Sequence, residues 1–311
     1  GDSDESMRAD KKRAEDFLAN FQNKPAYHLE KSKAAPHLMQ NTASIFYHFR
    51  FLLPNRIGTS VFWFLKSWFD YILDKNNIRN DFSTTHPWLE AWDKAVRKAR
   101  VLRGYRDFYD TVDLSEDCAY FALHFEPESF PMLVASICAD QQWLIRQIAR
   151  SLPVHFKLYV KDHPQMIGFR PRSYYRELKK IPNVKLVHPS MSSFDLIQKS
   201  KIVFTIAGTV GWEAALLKKP VIIFGDTFYS KLSTISVCRT IQDLPYLIQK
   251  QLENFSYRES ELVNLIIALY QESVAVDFDQ LWGVEGGLQF EKNLERLQPF
   301  VDLIAKKICL A

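Results

Sequence analysis

Between residues 118 and 224 short apolar runs alternate with segments of helical spacing, and no other feature narrows the possible folds as far. The runs at 119–123, 155–160, 184–187, 202–206 and 221–224 read as strands. The stretches at 140–151, 174–180, 193–199 and 212–217 place apolar residues on one helical face. A strand-by-strand alternation with helices predicts a parallel sheet covered on both faces, an α/β fold of the Rossmann-like, doubly wound kind. In such sheets ligands collect beyond the carboxyl ends of the strands, so the loops after each strand are where function is sought.

The flanks read differently. Met7, Ala14, Phe17, Leu18 and Phe21 sit at helical spacing among charges, and Pro25 ends that helix. Residues 44–73 read as helical and broken at Pro54 and Gly58, with Phe46, Phe49, Leu53, Phe62, Trp63, Leu65, Phe69 and Ile72 on apolar faces. A third helix is expected over 88–102, and the tail from 257 is helical apart from a loop at 277–287. The expected organisation is therefore an aromatic-rich helical region over 1–114, the sheet domain over 115–255, and carboxyl-terminal helices over 256–311 that pack back on it.

A chain of 311 residues, 47% hydrophobic and 24% charged, can bury a core in one large or two compact units. Its net charge of +4 suits an anionic ligand, but no dense basic stripe interleaved with stacking aromatics points to nucleic acid. Cys118, Cys138, Cys238 and Cys309 show no CxxC spacing and read as reduced thiols of a cytoplasmic protein. The charged start and lack of a secretory signal suggest a trimmed or excised piece. The most apolar stretch, 46–73, carries Arg50, Arg56, Lys66 and Asp70, so a soluble or peripheral protein is expected.

Three strand-end loops hold the chemistry. Thr205, Gly208, Thr209, Val210 and Gly211 form a turn from strand into helix, where free backbone N–H groups and the helix dipole favour a phosphate. Any tight turn of this kind also uses glycine. Glu213 follows, read either as a carboxylate capping the first helical turn or as a partner for a ribose hydroxyl. Lys161 and His163, beside Pro164, bring a cation and an imidazole to the same edge, although Lys, Asp and Pro are ordinary loop residues. His124, Glu126 and Glu128 form the third cluster, whose carboxylates could accept a proton or bind a sugar hydroxyl or simply face solvent. Arg170 and Arg172 could add positive charge at the mouth.

The order Leu123-His-Phe-Glu-Pro-Glu128, Lys161-Asp-His-Pro164, Ile181-Pro-Asn-Val184, Thr205-Ile-Ala-Gly-Thr-Val-Gly-Trp-Glu-Ala214 and Lys219-Pro-Val-Ile-Ile-Phe-Gly225 resembles the carboxyl-terminal domain of capsule-polysaccharide biosynthesis proteins, which include Kdo transferases of GT-B architecture. The resemblance covers about residues 115–235. It implies a glycosyltransferase that moves Kdo or a similar acidic sugar from a CMP-activated donor to a glycan or glycolipid acceptor. His163 would meet the CMP phosphate with Lys161 assisting, while Pro164, Arg170, the glycine turn and Glu213 complete the nucleotide site. His124, Glu126, Glu128 and His163 would face the reacting cleft. The family usually has Glu after the Lys, whereas this chain has Asp162, which leaves that position without a clear role.

No cofactor beyond the donor is expected, and no Asp-x-Asp arrangement suited to a diphosphate-bound cation is visible, so transfer without metal is implied. A second GT-B domain is not apparent in 1–114. Two alternatives follow: a non-catalytic donor-binding or scaffold domain that docks its aromatic helices on the inner membrane or the capsule machinery, or a sugar-nucleotide epimerase of related fold. For the aromatic helices themselves the favoured reading is a layer that packs its rings into a core.

Overall fold

The computed structural model describes residues 2–25, 54–73, 86–104, 106–113, 115–126, 140–163, 166–274 and 290–309. Six strands form one sheet in the order β3-β2-β1-β4-β5-β6: β1 (Cys118–Ala122), β2 (Lys157–Lys161), β3 (Val184–Val187), β4 (Ile202–Thr205), β5 (Val221–Ile223) and β6 (Ile235–Val237). Every neighbouring pair is parallel, so all carboxyl ends lie on one edge. This strand order is that of the doubly wound dinucleotide-binding sheet.

Successive side chains of each strand enter opposite layers. Ala119, Phe121, Leu158, Val160, Ile202, Phe204 and Ile222 meet one set of helices. That set contains α4 (Gln141–Ser151), α5 (Arg172–Lys179) and α8 (Leu244–Glu253). Cys118, Tyr120, Tyr159, Val203, Val221 and Ile223 meet the other set. There the cover is α1 (Asp2–Asn23), α6 (Ser193–Lys199), α7 (Thr209–Leu216) and α9 (Glu259–Glu272). Near-continuous apolar strands are what two covered faces require. α1 brings Ala14, Leu18 and Phe21 into this second layer, so the first helix of the sequence is part of the sheet domain's core.

Two further helices precede the sheet, α2 (Pro54–Leu73) and α3 (Pro87–Arg103), and α10 (Phe290–Cys309) closes the chain. α3 is pinned to the loop before α5. Arg100 Nη1 donates to the Phe169 carbonyl at 2.5 Å, and the Arg97 guanidinium lies 3.6 Å from the centre of the Phe169 ring. Gly168, at φ +88°, lets Val101 approach to where a Cβ would be only 2.7 Å away.

Several expectations change. α2 is continuous from Pro54 to Leu73 and runs unbroken through Gly58. The part of that expectation over 44–53, including Phe46, and the loop at 277–287 lie outside the described residues. The aromatic helices do not bury their rings: Phe62, Trp63 and Phe69 are more than half exposed. Trp68 instead packs on Trp88 at 5.4 Å between ring centres. β6 and α8 were not expected at all. β6 is three residues long and outwardly polar, with Ser236 at its centre, so its alternation is too short to register.

Candidate functional site

The strand order reverses between β1 and β4, and the loops that follow these two strands meet there. His124 lies two residues beyond β1 and Thr205 closes β4. The Ile206 backbone N–H donates to His124 Nε2 at 3.2 Å, and Thr205 Oγ1 lies 3.1 Å from the same nitrogen. An Nε2 that accepts must carry its proton on Nδ1. Burial, with the charges of His163 and Arg170 adding to it, pushes the His124 pKa down to about 4, so the ring is neutral near pH 7. Thr205 Oγ1 in turn accepts from the Gly208 N–H at 3.1 Å.

The glycines of the turn have a packing role as well as an electrostatic one. A Cβ on Gly208 would lie 2.8 Å from His124 Cε1, and one on Gly211 would lie 2.7 Å from the Tyr229 hydroxyl. That hydroxyl donates to the Gly208 carbonyl at 2.5 Å. The loop after β5 therefore clamps the turn through Tyr229, with Trp212 stacked on its ring at 6.4 Å and Phe228 edge-on to it at 5.0 Å. α7 begins at Thr209 with Gly208 as its N-cap and no side chain capping it. Glu213 consequently sits in the second helical turn, and the capping role expected of it falls away.

Behind this edge, around Asp162, is a dense ionic cluster. Arg170 Nη1 and the Tyr175 hydroxyl donate to its carboxylate, and the His163 N–H donates to Oδ1 at 2.8 Å. Arg170 Nη2 donates to the His124 carbonyl at 2.6 Å, and its Nε lies 3.5 Å from Glu126 Oε2. Gln141 joins the same knot: it accepts from the His124 N–H at 2.8 Å and donates to Glu126. Burial pushes the Asp162 carboxyl up, opposed by the Arg170 guanidinium and the Tyr175 hydroxyl. Arg170 is 3% exposed, so it braces the loops from within instead of lining the mouth. Asp162, which had no evident role, is the anchor of the cluster. Arg172 likewise holds the Gly104 carbonyl and Asp107.

On the other side of the edge the polar groups are sparse. Lys161 is the last residue of β2 and not part of the following loop, so it points, like Tyr159, toward α6 and α7. Its Nζ donates to Ser193 Oγ at 2.6 Å, and Ser193 also accepts from Tyr120 at 3.3 Å. Burial lowers the Lys161 pKa to about 8, partly offset by the nearby Glu213 carboxylate. Burial raises Glu213 to about 7, partly offset by Lys161, and Glu213 Oε2 is buried without a hydrogen-bond partner. His163 is also lowered, first by burial and then by Arg170 and Lys161. Its ring stands edge-on to Phe125 at 6.1 Å.

Lys161, His163, His124, Thr205, Gly208, Thr209, Val210, Gly211 and Glu213 thus gather along one sheet edge. Glu126 is held by Arg170 and Gln141 in the brace behind it, while Glu128 and Pro164 lie outside the described residues. Nothing in the sequence marks Gln141 or Ser193, which look like ordinary helix-opening residues. Of the two Asp-x-Asp spacings in the chain, Asp2-Ser3-Asp4 opens α1 and Asp277-Phe278-Asp279 lies outside the described residues. Among the described residues no group of three or more His, Cys, Asp or Glu could hold a metal ion.

A Rossmann-like sheet with a glycine turn and a histidine at its switch point, and a lysine and a second histidine at the end of the neighbouring β2, is an arrangement suited to an anionic, nucleotide-like ligand. Residues 133–234, about a third of the chain, match the family described as capsule polysaccharide biosynthesis protein, in agreement with the resemblance carried by the motifs. The match includes Lys161, His163 and the glycine turn; His124 lies just ahead of it. No curated protein matches the chain. Among solved structures, the Thermosulfurimonas dismutans KpsC beta Kdo 2,7 transferase is 14% identical, over 58% of this chain and 67% of that one, with a TM-score of 0.35. The beta Kdo 2,4 transferase of the same KpsC is 21% identical, over 51% and 53%, with a TM-score of 0.32. The UDP-GlcNAc 2-epimerase of Methanocaldococcus jannaschii is 13% identical, over 63% and 51%, with a TM-score of 0.37. The chain therefore spans about half to two-thirds of these proteins.

Proposed function

We propose that this chain supplies the nucleotide-sugar-binding half of a GT-B glycosyltransferase in capsule polysaccharide biosynthesis. Its donor is a CMP-activated acidic sugar such as Kdo, and its acceptor is a glycan or glycolipid. The observation that carries this reading is the bond between the β1 and β4 loops, His124 to Thr205, at the switch point of the sheet. It fixes the glycine turn with the N-terminus of α7 at the crevice where doubly wound sheets bind ligands.

The donor phosphate meets the backbone N–H groups at the start of α7, with the Lys161 ammonium as counter-charge. As the bond between sugar and phosphate oxygen breaks, the departing CMP gains negative charge, which Lys161, His163 and the helix N-terminus stabilise. His124 is neutral and holds the turn through Nε2, so its part is positioning. Glu213 accepts from a ribose hydroxyl, which would supply the donor its buried Oε2 lacks.

Calorimetry with CMP and with UDP tests the reading. CMP should bind the folded protein, and Lys161→Met should weaken it by about ten- to a hundredfold, the range expected for a hydrogen bond to a charged group. Absence of binding by both nucleotides to folded protein overturns the nucleotide site; tighter binding of UDP overturns the preference for CMP.

A further inference from the structure

α2 and α3 carry the largest set of outward-facing apolar side chains among the described residues. Phe62, Trp63 and Leu65 on α2, and Leu89 and Trp92 on α3, are each more than half exposed. The exposure is not a fraying of the helix pair, because the opposite face of α2 is packed: Trp68 and Tyr71 both lie 5.4 Å from Trp88 of α3. Phe62 and Leu65, followed by Phe69, recur at the three- and four-residue spacing of a single helical stripe. No helix among the described residues is long and apolar enough to cross a membrane, so the stripe is not that of a spanning segment.

The charge of the same two helices says what could cover it. They contain seven basic residues, Arg56, Lys66, Lys94, Arg97, Lys98, Arg100 and Arg103, against Asp70, Glu90 and Asp93. This excess of four equals the net charge of the entire chain, so the remaining 33 basic residues are matched by 33 acidic ones. Lys66 lies over the Trp63 ring at 4.8 Å, putting a cation beside an exposed indole. Apolar and aromatic side chains beside localised positive charge form the pattern that seats a helix in the headgroup region of an anionic bilayer.

We propose that the α2–α3 pair docks the protein on an anionic lipid surface, with Phe62, Leu65 and Trp92 entering the interface and the exposed Lys66, beside Trp63, meeting headgroups. The inference is independent of the nucleotide reading. Flotation of the full chain with phosphatidylcholine vesicles, with and without phosphatidylglycerol, tests it. The protein should float with the phosphatidylglycerol vesicles and be released by salt. Phe62→Ser and Trp92→Ser should each lower the bound fraction constant about tenfold, as expected for one large apolar side chain returned to water, with unchanged melting temperature. Failure to float with either vesicle, or flotation indifferent to both substitutions, overturns it. So does a shift by either variant to a smaller species in gel filtration without lipid, since the covering surface would then be a second copy.

Discussion

Two buried ionic clusters lie on either side of the same sheet edge, and they are built in opposite ways. Around Asp162 each charge is held by several partners: Arg170, Tyr175 and a backbone N–H on the carboxylate, and the His124 carbonyl on the guanidinium, whose Nε lies within ion-pair reach of Glu126 but makes no hydrogen bond. Around Lys161 the ammonium has Ser193, and Glu213 keeps a buried oxygen with no donor. A closed network fixes a shape and offers nothing to a ligand. A buried carboxylate short of donors is costly unless something completes it, so sparse satisfaction is the better sign of a binding face.

The sharpest way to break this contrast is at Arg170. Arg170→Met leaves Asp162 buried opposite no cation and frees the His124 carbonyl. The loss expected for breaking a buried ion pair is about 3–5 kcal/mol, read by urea unfolding at pH 7. A loss below about 1 kcal/mol would mean that the closed cluster is as dispensable as a surface pair.

Next in size is Glu213. Its carboxyl titrates at about 7 in the folded protein against an ordinary value of 4.5. Below 4.5 it is neutral in both states and costs nothing. Between 4.5 and 7 the unfolded chain ionises first, so stability falls as pH rises, and above 7 the loss is complete. Lys161, at about 8, titrates mostly above this window, and within it its ammonium favours the ionised Glu213. Glu213→Gln should therefore match the parent at pH 4.5 and exceed it by about 2 kcal/mol at pH 8 in urea unfolding. An equal effect at both pH values would show that the carboxylate is not the strained group.

What could be read from the sequence follows the same division. The alternation from β1 to β5 was legible because parallel strands covered on both faces are short apolar runs, and the motifs of the edge were legible because they are contiguous. The brace was not. Asp162, Arg170, Tyr175, Gln141 and Glu126 come from separate segments that only the fold brings together, and each looks like a solvated loop or helix residue by itself. One register detail also mattered: with β2 ending at Lys161 instead of Val160, the lysine turns into the layer of α6 and α7, where it meets Ser193. The helix pair α2–α3 misled for a different reason. Amphipathic spacing says that one face is apolar, but not whether that face is covered.

The smallest effect tests whether the open side depends on the closed one for its geometry. Tyr229 comes from the β5 loop, and its hydroxyl donates to the Gly208 carbonyl at the point where α7 begins. Burial raises its pKa to about 12, so it is a neutral donor throughout the working range. Tyr229→Phe keeps the ring between Trp212 and Phe228 and removes the hydroxyl's bonds to the Gly208 carbonyl and to Thr227, for which the expected loss is about 1 kcal/mol by thermal unfolding. Because Gly208 is also held by Thr205, and Thr205 by His124, the turn should keep its path but lose rigidity. Nucleotide affinity should then fall by a few fold, far less than in Lys161→Met. A fall as large as that of Lys161→Met would place the Tyr229 hydroxyl itself against the ligand, and the division between the braced and the open side of the edge would have to be redrawn to include it.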